Sequence, residues 1–180
     1  MKKLFLLLLL TLSLYADKTL KTVHELSLSF NQSQINTLIK TQLPHEIDYM
    51  FVFNIKLTDA HITFLKEDDR IKANIDSIVT MYVGESKSSF IADIELSSGL
   101  EYFSARESLY LNEPSIESIH VKDLDPAYTN AANQAITNAL ISYYENHPVY
   151  QLTAKDKKSI GSKIKSVKIE DEQLLITLKI

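Results

Sequence analysis

Two runs of strict alternation constrain this chain more than any other feature. In the first, Ile71, Ala73, Ile75, Ser77, Val79, Met81 and Val83 stand at every second position, and the residues between them, such as Lys72, Asn74, Asp76 and Thr80, are mostly polar. Gly84 to Ser88 turns the chain, and Phe90, Ala92, Ile94, Leu96, Ser98, Leu100 and Tyr102 then repeat the pattern. A period of two marks a strand with one face buried and the other solvated. Both runs greatly exceed the usual ~5–6 residues of a strand. Long antiparallel strands twist strongly. Such a sheet must curl, and its apolar face needs something to curl around.

The available partner is the stretch from Asp125 to His147. Asp125 is a good N-cap, since its carboxylate can accept the free N–H groups of the first turn. Pro126 suits the first helical position, and Pro148 pushes the residue before it out of the helix. At 100° per residue, Tyr128, Ala131, Ala132, Ala135, Ile136, Ala139, Leu140, Ser142 and Tyr143 share about half the circumference. No charged residue lies between Asp125 and Glu145, and the opposite face is Asn130, Asn133, Gln134, Thr137 and Asn138. This reads as a helix held within the protein, with the strands curved around it.

The remaining segments fit around this pair. Leu26, Leu28 and Phe30 alternate in a strand over Thr22 to Phe30. Asn31 or Ser33 caps a short helix carrying Ile35, Leu38 and Ile39, which ends before Pro44. Tyr49 to Leu65 reads as one long strand, and Lys66 to Asp69 as a solvated turn. Leu109 to Leu124 is another strand, with Pro114 marking a bulge or an edge. Val149 to Leu152 is extended, Lys155 to Ile164 is a second short helix, and Val167–Ile169 with Leu174–Ile180 forms a terminal hairpin. The expected class is α+β: a long, strongly curved antiparallel sheet wrapped around one long helix, plus two short helices.

The N-terminus bears on where such a fold works. Lys2 and Lys3 precede an apolar run from Leu4 to Leu14 that is too short to span a bilayer comfortably, and Ala16 offers a small residue for cleavage. Residues 1–16 therefore read as a signal peptide and 17–180 as a single exported domain, periplasmic in a bacterial source. The chain has no cysteine, which excludes disulfides, thiolate metal sites and a cysteine nucleophile. It also excludes attachment of a lipid to an N-terminal cysteine. A net charge of −4 and a pI near 5.7 argue against nucleic acid as a partner.

The stretch NQAITNALISYYENHPVYQL, a lysine-rich short helix and then IKSVKIEDEQLLITL, over Asn133 to Ile180, resembles the YceB-like periplasmic lipoproteins. LSFNQSQINTLI and LTDAHITF resemble that family's opening strand, helix and second strand. The resemblance covers nearly all of the chain after residue 16. It implies a fold similar to the tubular lipid-binding group and, less directly, a lipid-binding role. The missing cysteine departs from the family's lipid anchor.

Catalytic and metal signatures are absent from the sequence pattern. His24, His45, His61, His120 and His147 form no pair at i+2, i+3 or i+4, so no short zinc motif exists. There is no Gly-x-Ser-x-Gly, phosphate loop or dinucleotide fingerprint. Lys155, Lys157, Lys158, Lys163, Lys165 and Lys168 suggest contact with anionic lipid headgroups at a membrane surface, but read more simply as solvated faces. Tyr143, Tyr144 and Tyr150 suit either a pocket mouth or a core with hydroxyls reaching the surface. The expectation is a non-enzyme without a cofactor that binds a lipid or other apolar ligand between sheet and helix. The residues expected to line that site are Val79, Met81, Phe90, Ile94, Ala131, Ala135, Ala139 and Tyr143. The alternative is an envelope interaction module with a dry core.

Overall fold

The computed structural model describes residues 25–66, 68–160 and 163–179. The expected signal peptide, Thr22, Val23 and His24 lie outside the described residues. The elements run β1 (Glu25–Asn31), α1 (Gln32–Lys40), β2 (His45–Tyr49), β3 (Phe53–Leu65), β4 (Arg70–Val83), β5 (Ser86–Phe103), β6 (Ser108–Val121), α2 (Pro126–Asn146), β7 (Tyr150–Gln151), α3 (Ala154–Ser159), β8 (Ile164–Glu170) and β9 (Gln173–Lys179). Strands β2 to β7 form a six-stranded antiparallel sheet in sequence order, curled into a half-barrel. Strands β1, β9 and β8 form a second, three-stranded antiparallel sheet.

The long alternating runs become β4, of 14 residues, and β5, of 18. They pair from Ile71↔Ser98 to Val83↔Ser86 without a register shift. Bulges supply changes of face elsewhere. In β3 the inward residues are first Ile55 and Leu57, then Ala60, Ile62 and Phe64. The parity changes because the register shifts between Leu57 and Asp59. The skipped Thr58 turns its hydroxyl to the carbonyl oxygen of Asp76. In β6 the expected irregularity at Pro114 is present. Asn112 pairs with Gly99 and Ser115 with Ser97, so Glu113 and Pro114 together face one residue, and Glu113 has φ 49°. Arg70 takes the Glu113 carbonyl at 3.0 Å. Gly99 admits this approach, because a Cβ there would stand 3.3 Å from the Asn112 oxygen.

Several expectations need correction. Tyr49 to Leu65 is not one strand. It is the end of β2, a turn over residues 50–52, and β3. The second short helix ends at Ser159, and Ile164 already belongs to β8. The expected terminal hairpin is present as β8 and β9 and stands in the second sheet. It recruits β1 through the register Glu25↔Lys179 to Asn31↔Gln173. The β3–β4 turn is exposed at Lys66, Asp68 and Asp69, as expected, and Asp69 also accepts the Ile169 N–H of β8 at 2.5 Å and so ties the two sheets together.

Helix α2 starts and stops where its sequence directs. Asp125 accepts the Ala127 N–H at 2.8 Å, Pro126 opens the first turn and His147 ends the helix. It is not enclosed on all sides. Ala132, Ile136, Ala139 and Leu140 are buried, whereas Asn130, Gln134 and Asn138 are exposed. The helix lies against β6 and reaches across to β2, the strands on opposite sides of the curl. Asn133 is not on the free face: it is half-buried and donates to the Ile119 oxygen of β6 at 3.4 Å.

Helix α1 has a different task. Its Asn31–Gln34 capping box starts the helix, and the mid-helix Asn36 is buried. The Asn36 amide donates to the Ile62 oxygen at 2.9 Å and accepts the Ile62 N–H at 2.6 Å. Strand β2 covers β3 only as far as Leu57. Asn36 therefore supplies the hydrogen bonds that a neighbouring strand would make beyond that point.

Candidate functional site

The inward face of the long sheet can be read in cross-strand rows. Ala60, Ile75, Ile94 and Ile119 form one row, and Ile55, Val79 and Phe90 another. The last row before the turns is Phe53, Met81 and Ser88. Burial falls at the β5 end of the second row and across the last row. Ile75 and Ile94 are sealed, as are Ile55 and Val79. Phe90, Met81, Phe53 and Val121 are only half-buried, and Ser88 is exposed. An apolar rim thus opens at the end of the sheet next to the β2–β3 and β4–β5 turns.

The eight residues expected to line a ligand site divide in a way the sequence does not show. Val79, Ile94 and Ala139 meet in one core with Ile136 and Leu140. Ala139 is 1 % exposed and Leu140 0 %. Met81 and Phe90 lie at the rim. Helical spacing aligns Ala131, Ala135, Ala139 and Ser142 in one stripe of small residues, but Ala135 is half-buried and Ala131 and Ser142 are exposed, so the stripe is not enclosed along its length. Phe53 and Val121 also belong to the rim, outside the eight expected residues. Their signal was readable, since Phe53 alternates with Ile55 and Leu57.

Tyr143 serves a different cluster at the C-terminal end of α2. Its hydroxyl lies 2.8 Å from His45 Nε2 on β2. Its ring stacks on His147, with centroids 4.2 Å apart and planes 7° apart, and meets Tyr144 edge-on. His147 Nδ1 in turn reaches the Tyr143 carbonyl at 2.9 Å. Burial pushes the Tyr143 hydroxyl above its ordinary pKa and holds Tyr144 at about 12, with the neighbouring Tyr143 adding to the effect. Neither is a base at neutral pH. The cluster clamps the helix to β2. Tyr150 stands apart on β7, raised to about 12 by burial and then by Asp156.

Two open clefts mark the outer surface. One, of about 300 Å³, is lined by residues including Phe103, Arg106, Tyr110 and Glu145. The other, of about 330 Å³, includes Gln32, Asn36, Lys40 and His61. Neither contains any of the eight expected residues. Among the described residues no group of three or more His, Asp or Glu side chains is gathered for a metal. The lysine run is partly neutralised, with Lys157 on Glu107 at 3.1 Å and Lys165 on Glu25. No helix among the described residues is long and apolar enough to cross a membrane.

No curated protein matches the chain. The protein family of unknown function DUF1439 matches residues 30–173, from the end of β1 to the start of β9 and so across both sheets and the helices α1, α2 and α3. The chain belongs to the DUF1439 family.

Proposed function

We propose that the protein is an exported, non-enzymatic binder of a lipid or similarly apolar ligand, working in the periplasm and taking its ligand at the half-buried rim between the curled sheet and α2. The observation that carries this reading is the falling burial on one apolar face. Phe53, Met81 and Phe90 continue the pattern of sealed Ile55 and Val79, yet remain partly open. An acyl chain laid there gains about 0.8 kcal/mol for each CH₂ removed from water. No reacting group is needed for that.

The site differs from the one the sequence suggests. Ala139 is already packed, so ligand would bind beyond Val79 towards Met81 and Phe90, not along the alanine stripe. The same burial of Ala139 favours a second reading, an envelope interaction module with a dry core. Mass spectrometry of organic extracts from freshly purified protein separates them. A stoichiometric lipid, together with loss of fluorescent fatty-acid binding in Phe90→Asp, supports the first. Clean extracts and no fatty-acid binding by the wild type overturn it and leave the interaction module.

A further inference from the structure

The β2–β3 turn carries Met50, Phe51 and Val52 at its tip. Phe51 is 100 % exposed, Met50 69 % and Val52 43 %. Val52 N–H bonds to the Tyr49 oxygen at 3.2 Å, and Met50 and Phe51 have φ 50° and 60°. Two successive left-handed residues in a hairpin turn are a place that favours Asn and Gly. Bulky apolar residues in that conformation cost stability. Neither side chain is buried, so packing within the chain does not repay that cost. The tip is therefore a place where the sequence departs from what the fold prefers.

We infer that the Met50–Phe51–Val52 tip inserts into the surface of a lipid bilayer. Three features select a bilayer over a protein pocket. The tip is convex, and a bilayer accepts an apolar knob without a matching shape. Polarity is graded along the hairpin. Residues 49–53 are uncharged and begin with Tyr49, the Asn54 amide next to them donates to Asp48 at 2.8 Å, and the Glu46–Lys56 ion pair follows at 3.3 Å. Beside the tip, the Tyr82 N–H bonds to the Val52 oxygen at 2.9 Å, Tyr82 is 40 % exposed, and Lys87 stands 5.9 Å from its ring. Tyrosine with an adjacent lysine suits the headgroup layer. The third feature is continuity. Phe53 follows the tip directly and pairs with Met81, so the knob leads into the apolar rim. In this respect the inference rests on the apolar-ligand reading, since a docked tip would set the rim against the source of its ligand.

The local charges nearly balance, with Glu85 and Lys87 both in the β4–β5 turn region. Insertion should therefore be driven by apolar burial, not by attraction to anionic lipid. The test uses phosphatidylcholine–phosphatidylethanolamine vesicles. The chain has no tryptophan, so Phe51→Trp reports on the tip alone. Its emission should shift to the blue on adding vesicles, at both low and 0.5 M salt. Wild type should co-sediment with the vesicles, and Phe51→Ser, with the same N-terminus, should bind them about tenfold more weakly. Equal co-sedimentation of Phe51→Ser, or no blue shift, overturns the inference. So does a blue shift that follows protein concentration without vesicles, which would assign the tip to a second copy. Fatty-acid binding in solution, measured on the same variants, reports the ligand reading separately: Phe51→Ser should keep it.

Discussion

The middle of the long sheet and its turn end carry the same sequence pattern and meet different fates. In the middle, Ile55, Val79, Ile75 and Ile94 are sealed by one another and by Ile136 and Leu140 of α2. At the turn end, Phe53, Met81 and Phe90 have the same alternation and stay half-open. The difference lies in what covers them. Helix α2 has a limited buried face, made by Ala132, Ile136, Ala139 and Leu140. A strand pattern states which face is apolar, but not how much of it a partner will reach.

Mutations in the two regions should separate most clearly in stability. Leu140→Ala should cost about 2–5 kcal/mol in urea unfolding, because a sealed site cannot collapse fully around the lost volume. Met81→Ala at the rim should cost distinctly less. Equal losses would erase the distinction. Ala139→Leu should destabilise by about 1–3 kcal/mol, since the site is already filled. A stabilised variant with reduced fatty-acid binding would instead place ligand space beside α2 in the middle of the sheet.

Polar support of the closed region can be tested next. Asn36→Ala should cost about 1–3 kcal/mol, because it strands the Ile62 N–H and carbonyl at the uncovered edge of β3. Hydrogen exchange at the Ile62 amide should rise with it, and unchanged exchange would mean that the edge is covered by other means. Tyr144 supplies a pH test. Its pKa is raised from the ordinary 10.0 to about 12, so the unfolded chain loses that proton first. The stabilisation is complete below about pH 10 and declines as pH rises towards about 12. Tyr144→Phe should flatten that decline in base titrations followed by thermal melting.

The smallest stability effect belongs to the tip. Phe51→Ser should change unfolding free energy by no more than about 0.5 kcal/mol, since the side chain is fully exposed. A large loss would show that the tip is part of the core after all, and would remove the contrast between the two regions.

Much of the architecture was legible in local patterns. Alternation marked β4 and β5, Asp125, Pro126 and Pro148 bounded α2, and Pro114 announced the bulge in β6. These signals act between near neighbours in the chain, through backbone preference and side-chain period. The β2–β3 turn was missed because Tyr49 to Val52 has no glycine, proline or asparagine, and its apolar residues read as more strand. The candidate site was only half legible. Helical spacing put Ala131 and Ala139 in one stripe, yet the first is exposed and the second buried. That outcome depends on where β6 and β2 lie against the helix.

The sequence by itself determined the antiparallel strands, their apolar face and the limits of the long helix, since each follows from periods and caps within a few residues. Only the tertiary structure decided that β1 joins β8 and β9 in a second sheet, that Asn36 completes the edge of β3, and that the apolar face is sealed in the middle but open beside Phe51. Those facts come from contacts between residues far apart in the chain, and burial is a property of the partners that meet, not of either side chain alone.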